Sequence, residues 1–516
     1  MRVFRMEATP SLRVLPYALA DIFFLALALF FAFVSYVFAW VMLWWKYTDP
    51  RSFAGPYFGE FLEHVFFLAA LGYVVFALSG FYTHTPSYRG RYKLLVIFNA
   101  VSLVFLLHGF VTSFMLKIAL PRGVALFAWA YSLALIGGSR MFKGYVEQTY
   151  QIRRKLKRGE RPVRNVLVVG GAGYIGSVLV RRLMEGGYKV RVMDLLPLGD
   201  APIASLVSDP RFELQRADFR HVASVVRAVQ DMDAVIHLGG IVGDPACNLD
   251  SKMTLEINVA ATDLLRSVSS GQGIQRFLFA SSCSVYGARD HLLDEKAAPE
   301  PISLYACTKL DSERIILQKR SPDFVPTILR LGTAFGWSYR PRLDLVVNLL
   351  TAKAIFERRM VIFNRTQWRP FVHVEDIARA FIACLRASNS QVAYEIFNIG
   401  SNHLNSTLGE LASRVQAQVP DAEVVYVDKA SDHRNYRVDF SKVREKLGFE
   451  CRYNLDYGIA EIKRATEAGL IADYHDAVYY NDRSIEQLSA QVFGPEREIT
   501  LSASEEFLRR SAAAVT

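Results

Sequence analysis

Hydrophobic residues are distributed unevenly along the chain and divide it into two parts. Residues 15–45, 61–82, 92–116 and 120–142 form apolar segments, each long enough for the ~20 residues that a membrane-spanning helix needs. After residue 165, short apolar runs of strand length alternate with segments of helical periodicity. The pattern predicts four transmembrane helices followed by an α/β unit. The first segment is too long for a removable signal peptide and lacks its small-residue cleavage site.

The second part of the chain predicts a parallel, doubly wound sheet. Strands are expected at residues 166–169, 188–194, 211–218, 234–238, 276–281 and 325–330. Strands that alternate with helices form a parallel sheet with helices on both faces. Ligands of such sheets bind at the carboxyl ends of the strands, which are therefore the expected position of a functional site.

A glycine-rich loop follows the first of these strands. Its glycines fit a G-x-G-x-x-G spacing from Gly171 and a G-x-x-G-x-x-G spacing from Gly170, and Ser177 opens a segment of helical periodicity. Strand, loop and helix in this order bring a pyrophosphate to the N-terminus of the helix. The alternative is a glycine turn in a Rossmann-like fold that binds no dinucleotide. The loop residues predicted to contact a dinucleotide are Gly170, Gly173, Tyr174, Ile175 and Gly176.

The second strand ends in Asp194, at the distance of about 20 residues at which such sites place a ribose-binding acid. A carboxylate there would repel a 2'-phosphate. Leu195 and Leu196 follow it, where an arginine could have bound that phosphate. The sequence therefore predicts NAD rather than NADP.

Further polar residues follow the fifth strand. Ser282 comes at its end, and Tyr305 and Lys309 are four residues apart, which places both on one face of a helix. An ammonium group near a phenol lowers the pKa of the phenol. Tyr305 is therefore expected to take a proton from a sugar hydroxyl while the carbon gives hydride to the nicotinamide, with Ser282 bonded to the same oxygen. A Tyr-x-x-x-Lys pair also occurs by chance in many helices, but its order after the glycine loop favours catalysis.

Together these motifs resemble the extended short-chain dehydrogenase/reductase family, which contains NAD-dependent sugar epimerases, dehydratases and reductases. The resemblance covers about residues 165–480. It implies a Rossmann-type sheet with a smaller C-terminal substrate lobe, and NAD bound at the glycine loop and Asp194. It implies catalysis by Ser282, Tyr305 and Lys309, of which the last two also contact the cofactor. By the same matching, Asp218 and Phe219 border the adenine and Leu238 approaches the cofactor.

The resemblance also implies a nucleotide-sugar substrate. Arg369 and Arg437 are expected to bind its diphosphate, as is Arg434; surface salt bridges are the alternative for all three. Thr333 stands where many relatives carry a substrate-binding asparagine, and Asn348 is expected to compensate. Ser282 and Ser284 complete the predicted substrate-binding residues.

One departure from the family bears on the reaction. Its sugar-nucleotide dehydratases carry an Asp-Glu pair after the catalytic hydroxyl residue, where this chain has Cys283 and Ser284. Neither residue readily supplies that acid/base pair, so dehydration is disfavoured. The leading hypothesis is an NAD-dependent epimerase of a nucleoside-diphosphate sugar or a polyprenyl-diphosphate-linked sugar. The alternatives are a sugar ketoreductase or dehydrogenase, and a non-catalytic NAD-binding membrane scaffold.

The apolar part resembles the four-span region of membrane-bound polysaccharide-biosynthesis proteins. The matching stretches lie at Asp21, at residues 80–82, 120–124 and 137–140. The resemblance implies glycan assembly at the cytoplasmic membrane. Basic residues cluster before the first span, between the second and third, and after the fourth, so both termini and the catalytic unit are predicted to be cytoplasmic. The basic residues of these clusters are Arg2, Arg5, Arg13, Arg89, Arg91, Lys93, Arg153, Arg154, Lys155, Lys157, Arg158, Arg161 and Arg164.

These patterns predict five regions. They are a transmembrane domain (1–145), a basic juxtamembrane linker (146–164), an NAD-binding domain (165–340, with 371–400 packing back onto it), a mainly substrate-binding lobe (341–480) and a C-terminal tail (481–516). Family habit suggests a homodimer.

Charge and cysteine content change this picture little. The net charge is +10, but the basic cluster that contributes to it adjoins a membrane span, so anionic lipids rather than nucleic acid are the expected partner. The five cysteines all follow the spans without metal-ligand spacing, which indicates free thiols in a reducing compartment and predicts no metal. Polar residues in or beside the spans are expected to pack between helices or lie at the interface, with a lipid-phosphate or oligomer contact as the alternative: Asp21, Glu60, Glu63, His64, Asn99 and His108.

Overall fold

The computed structural model describes residues 15–44, 50–82, 93–116, 118, 120–158, 161–318, 321, 323–427 and 435–492. It divides the chain into two compact units, Met1–Gln151 and Ile152–Thr516. Several predictions fall outside the described residues: those for Arg2, Arg5, Arg13, Arg89, Arg91, Arg434 and the tail after residue 492. The side chains of Glu60, Lys93 and residues 153–158 are also outside them.

The first unit contains four long apolar helices, as the sequence predicts. Each includes a stretch of 18 to 24 residues that is long enough and apolar enough to cross a membrane. A π-helical turn, Val111–Met115, continues the third helix. The fourth helix runs on to Arg158, so the predicted linker begins as helix. The helices are α1 (Leu15–Trp44), α2 (Pro50–Leu78), α3 (Lys93–Phe110) and α4 (Arg122–Arg158).

Four polar side chains in this unit form two pairs between helices. Asp21 on α1 forms an ion pair with Arg140 on α4. His64 on α2 and His108 on α3 lie with Nδ1 and Nε2 3.3 Å apart, and both rings are buried. Unpaired polar groups are costly in hydrocarbon, so one pair favours contact of α1 with α4 and the other favours contact of α2 with α3.

The second unit is built on a seven-stranded parallel sheet, which confirms the predicted fold class. Its spatial order is β11-β7-β5-β4-β1-β2-β3. All seven residues of β7, the second strand from one edge, are buried, because helices cover both faces. Six strands correspond to those predicted, and β11 is the seventh. The strands are β1 (Asn165–Val169), β2 (Lys189–Asp194), β3 (Phe212–Arg216), β4 (Ala234–His237), β5 (Arg276–Ser282), β7 (Val325–Leu331) and β11 (Glu395–Ile399).

Three smaller sheets accompany the large one, in the orders β12-β10-β8, β13-β9 and β14-β6. Phe335 and Phe371 in the first of them share an apolar core with Met360 and Ile362 in the second. The strands are β6 (Leu292–Leu293), β8 (Thr333–Phe335), β9 (Arg359–Phe363), β10 (Trp368–His373), β12 (Asn405–Thr407), β13 (Glu423–Val427) and β14 (Arg437–Val438).

Thirteen helices are described in the second unit. Helices α5 and α12 pack together on one face of the large sheet, and α6 packs against α9. Helices α11, α14 and α16 cover the core of the smaller sheets. The helices are α5 (Tyr174–Glu185), α6 (Val222–Val229), α7 (Asp244–Leu249), α8 (Ser251–Leu255), α9 (Ala261–Gly271), α10 (Leu304–Leu317), α11 (Val346–Phe356), α12 (Val374–Arg386), α13 (Asn389–Val392), α14 (Leu408–Gln418), α15 (Ser441–Leu447), α16 (Leu455–Glu467) and α17 (Asn481–Val492).

A buried ion pair fixes helix α10 against the large sheet. Glu313 on α10 accepts hydrogen bonds from Arg330 Nε at 2.9 Å and Nη2 at 2.7 Å. Ser281 on β5 donates to the same carboxylate at 2.5 Å. Both charged side chains are 3% exposed. The carboxylate therefore joins α10 to two adjacent strands.

Removing the Glu313 carboxylate should destabilise the second unit. Glu313→Ala leaves the Arg330 guanidinium buried without its counterion, and breaking such a pair costs about 3–5 kcal/mol. Thermal unfolding of the detergent-purified chain should show a fall of several degrees in the Tm of this unit. Arg314→Ala, which removes an exposed pair with Asp311 on the same helix, is the control and should change the Tm little. Equal Tm values for the two variants would show that the buried Glu313–Arg330 pair does not stabilise this unit.

Candidate active site

The glycine loop between β1 and α5 is shaped by close backbone approaches. Gly170 has φ +82°, and a Cβ atom there would lie 2.7 Å from the backbone nitrogen of Gly239. A Cβ atom on Gly176 would lie 2.2 Å from the carbonyl oxygen of Gly170. Both positions therefore require glycine. The loop turns tightly into α5, which begins at Tyr174.

Asp194 at the end of β2 holds two loop segments together. Its carboxylate accepts hydrogen bonds from the backbone N–H of Ala172 at 3.0 Å and of Leu196 at 2.9 Å. Burial raises the pKa of this carboxyl, while the backbone N–H groups of Leu196 and Ala172 and the charge of Arg340 oppose the shift. The carboxylate thus lies in the wall of a pocket, at the carboxyl edge of the sheet.

One cavity at this edge is lined by every residue predicted to bind the cofactor. The glycine loop and Asp194 form one end, and residues of α10 form another part of its wall. That these side chains contact NAD stays a prediction, but their convergence from five separate chain segments is a feature of the structure. They are Gly170, Gly173, Tyr174, Ile175, Gly176, Asp194, Asp218, Phe219, Leu238, Tyr305 and Lys309.

Several of these side chains are held by neighbours. The Tyr174 hydroxyl donates to the carbonyl of Gly336 at 2.8 Å. Asp218 accepts hydrogen bonds from Arg220 Nε at 3.0 Å and Nη2 at 2.8 Å. Both interactions fix the positions of side chains in the cavity wall.

Tyr305 and Lys309 lie on one face of α10, as their spacing predicts. The Lys309 ammonium donates to the carbonyl of Ala280 on β5 at 2.9 Å and lies 5.8 Å from the centre of the Tyr305 ring. Burial lowers the pKa of Lys309 to about 8. The lysine therefore connects the tyrosine helix to the end of the strand that carries Ser282.

The pKa of Tyr305 departs from the expectation. Burial raises the pKa of the phenol and Cys247 adds to the shift, whereas Arg342 and a hydrogen bond with Ser282 lower it. The net direction is upward, opposite to that expected of the Lys309 ammonium, because desolvation of the phenolate outweighs the nearby cations. The hydrogen bond does bring Ser282 and Tyr305 together.

Sequence comparison agrees with this geometry. Residues 166–400 match the NAD dependent epimerase/dehydratase family. The second unit belongs to this family.

Known members match this unit over nearly their whole length. A putative UDP-glucose 4-epimerase of Methanocaldococcus jannaschii is 28% identical over 304 residues, covering 58% of this chain and 96% of the relative. A dTDP-glucose 4,6-dehydratase of Streptomyces griseus is 26% identical over 306 residues, covering 57% and 92%. The solved UDP-glucuronic acid 4-epimerase of Bacillus cereus, in complex with UDP-glucuronic acid and NAD, superimposes with a TM-score of 0.53 at 26% identity, covering 59% and 99%.

The epimerase/dehydratase unit is NAD-dependent. The residues of the cavity fit a dinucleotide. Gly170 and Gly176, where a Cβ atom would clash with backbone, line the cavity, and the Asp194 carboxylate in its wall can accept hydrogen bonds from ribose hydroxyl groups. When bound, NAD supplies a nicotinamide that accepts and returns hydride.

The predicted substrate residues lie elsewhere in the epimerase/dehydratase unit. Within the part of the chain that the structure describes, none of the predicted substrate-binding residues lines the cofactor cavity. Arg369 on β10 and Arg437 on β14 both approach Trp368: Arg369 Nη1 donates to its carbonyl at 2.8 Å, and the Arg437 guanidinium lies 5.2 Å from its ring centre. Arg369 thus contacts the backbone of Trp368 and Arg437 contacts its ring, and the role of both arginines in substrate binding stays a prediction.

Asn348 and Ser284 have different surroundings from those two arginines. The Asn348 amide bonds to the backbone N–H and carbonyl of Gly336 and to the carbonyl of Arg342, at 2.9–3.2 Å. Its bonds are thus made within the protein, so it has little capacity to compensate for Thr333. Ser284 is buried and its N–H donates to the Ser282 hydroxyl at 3.1 Å.

Arg340, Arg342 and Asn481 are among the cavity residues that the sequence did not predict. Arg340 and Arg342 line the cavity after strand β8, and Asn481 lines it from the start of α17. The Arg-Pro-Arg sequence at residues 340–342 was the available signal, because paired cations near a dinucleotide loop suit an anionic ligand. Nothing local to Asn481 distinguishes it from an ordinary polar helix residue.

Replacing Asp194 should weaken NAD binding. Asp194→Ala removes a buried acceptor, and hydrogen bonds to a charged group contribute about 1.5–3 kcal/mol, so we expect roughly 10- to 100-fold lower affinity. Titration of the purified chain with NAD, followed by calorimetry, measures the effect. Asp200→Ala removes an exposed carboxylate from the loop after β2 and is the control. An unchanged Kd in Asp194→Ala would show that this carboxylate does not bind the ribose.

Proposed function

We propose that this protein is a membrane-anchored NAD-dependent epimerase of a nucleoside-diphosphate sugar or a polyprenyl-diphosphate-linked sugar, acting in cell-surface glycan synthesis. The observation that carries the proposal is the cluster of Tyr305, Lys309 and Ser282 at the carboxyl end of β5, beside the NAD cavity. The UDP-glucose 4-epimerases among the relatives support a nucleotide-sugar substrate.

The cluster supports a two-stage reaction in which the sugar is oxidised and then reduced. Tyr305 acts as the general base that takes the proton of a sugar hydroxyl while Ser282 holds the hydroxyl oxygen, and the raised pKa of its buried phenol makes it a stronger base once it is ionised. Bound NAD would supply a hydride acceptor for the same carbon, so that a keto sugar would form, and would then supply the hydride for reduction on the opposite face of the turned sugar. Tyr305 would return the proton to the oxygen in that second stage. Atoms and electrons balance within the site, and no external reductant is consumed.

The surroundings of Cys283 argue against dehydration. Its side chain is fully buried and donates to the carbonyl of Arg330 at 3.3 Å. Burial raises the pKa of the thiol, so Cys283 is neutral and turned away from solvent. A dehydratase needs an acid and a base at this position and the next, and neither Cys283 nor Ser284 provides one. The epimerase reaction needs neither.

The substrate carrier is proposed from charge and location. Arg369 and Arg437, which both contact Trp368, supply two guanidinium groups of the kind that bind diphosphates. Nucleoside and polyprenyl carriers both present a diphosphate next to the sugar. Four helices that are long and apolar enough to cross a membrane support an anchor in the same chain, and a membrane is where a lipid-linked sugar is accessible.

Tyr305→Phe tests the catalytic proposal. The detergent-purified chain is incubated with NAD and a panel of UDP-, GDP-, CDP- and dTDP-sugars and polyprenyl-diphosphate sugars, with products separated by chromatography. Loss of the proton acceptor should lower the rate of epimer formation by about 10²- to 10⁴-fold while NAD binding is kept. Tyr339→Phe, at an exposed tyrosine outside the cluster, is the control.

The outcomes separate the alternatives. Epimer formation without net NADH supports the proposal, whereas net oxidation or reduction of a sugar would identify a dehydrogenase or ketoreductase. If Tyr305→Phe equals wild type in every activity found, the catalytic assignment is wrong. NAD binding without turnover of any sugar by the wild type would favour the scaffold.

A second test concerns the membrane. We expect the full chain to remain in the membrane fraction after an alkaline wash, because transfer of four apolar helices into water is unfavourable. We expect a fluorescent protein fused to the C-terminus to fluoresce and a phosphatase fused there to be inactive, since the basic clusters predict a cytoplasmic C-terminus. Release by alkali, or an active C-terminal phosphatase, would contradict the anchor or the orientation, respectively.

A further inference from the structure

Helix α17 forms part of the cofactor cavity although it lies well beyond the family match. The match ends at residue 400, and α17 begins at Asn481. Asn481, Ser484 and Ile485 nevertheless line the cavity together with the glycine loop and Asp194. The helix packs against α7, which follows the glycines after β4. A segment C-terminal to the sheet and its smaller lobe thus returns to the dinucleotide site.

Asn481 bonds to two different walls of this cavity. Its amide nitrogen donates to the carbonyl of Val242 at 3.0 Å, and its amide oxygen accepts from Arg340 Nη1 at 2.8 Å. Its backbone N–H points to the carboxylate of Asp344 at 3.4 Å. One side chain therefore connects the loop after β4 to the arginine segment after β8, with α17 between them.

Ser484 and Ile485, one turn further along α17, are also packed against the unit. Ile485 packs against an apolar cluster to which the ring of Tyr305 also belongs. Ser484 is 3% exposed, and its hydroxyl donates to the carbonyl of Ala477 at 2.6 Å. The inner face of the helix thus presents Ile485 to the apolar cluster that Tyr305 also contacts, and Asn481 to Arg340.

Arg340, the hydrogen-bond partner of Asn481, places a positive charge in the cavity. Its guanidinium lines the cavity, and its charge acts on Asp194. Burial and the neighbouring Arg342 lower the pKa of Arg340 to about 10, so the side chain is cationic at neutral pH. A dinucleotide carries two negative charges on its pyrophosphate. Asn481 therefore orients a cation in the pocket that takes this anion.

We propose that Asn481 and Ile485 are cofactor-binding residues, and that α17 closes over bound NAD and slows its release. NAD leaves only after the contacts of Asn481 with Val242 and Arg340 have opened. The inference rests on the NAD dependence of the unit and not on the sugar reaction. A slowly released cofactor suits an enzyme that regenerates NAD in place.

The rate of cofactor release tests this inference without any sugar. The detergent-purified full chain is loaded with NADH, and loss of its bound fluorescence is followed after a large excess of NAD is added. We expect Asn481→Ala to release NADH at least tenfold faster than wild type and Ile485→Ala several-fold faster. Gln487→Ala, at an exposed position on the same helix, should stay within twofold of wild type.

A measurement on the wild type covers the possibility that Asn481→Ala does not fold. Hydrogen–deuterium exchange of the backbone at residues 481–487 should slow at least severalfold when NAD is added, because a closed helix opens less often. The inference is overturned if Asn481→Ala and Ile485→Ala, or Ile485→Ala alone where the first is unfolded, release NADH at the wild-type rate. Exchange that is unchanged by NAD would overturn it as well. Neither result would affect the epimerase proposal, whose test is sugar turnover.

Discussion

The position of helix α10 depends on one buried carboxylate, that of Glu313. Two charged groups removed from water must meet with good geometry, and the Arg330 guanidinium on β7 allows only one placement of the helix against the sheet. Since Ser281 bonds to the same carboxylate, the helix is also fixed to β5. A shift of α10 by one turn would leave both charges unpaired. The ion pair is the reason that a lysine one turn earlier and a tyrosine two turns earlier on α10 reach the end of β5.

The same physical rule operates in the first unit. Asp21 and Arg140 come from the first and last apolar helices and are far apart in sequence, yet they form a buried pair. His64 and His108 pair in the same way on the two helices between. In each unit, an apolar interior makes a few polar contacts obligatory, and those contacts decide which helices are neighbours.

Much of the fold and of the cofactor cavity could be predicted from the sequence, because the signals are local. Strand β1, the glycine loop and α5 are contiguous, and Asp194 follows at a fixed distance. The role of Asn481 could not be predicted, since its partner Arg340 is 141 residues away and only the folded chain brings them together. The upward pKa shift of Tyr305 was missed for a related reason: a neighbouring lysine can be seen in the sequence, but the degree of burial cannot. The occupied amide of Asn348 likewise depends on backbone atoms that no sequence motif locates.

The two backbone hydrogen bonds of Asp194 have a consequence for the entropy of binding. They join the glycine loop to the chain after β2 before any ligand is present, so both segments are ordered when the protein folds. Association with a ligand is weakened by the free energy needed to order the groups that receive it. At this end of the cavity the two segments are already ordered by folding, so even a small ligand that binds there does not have to order them.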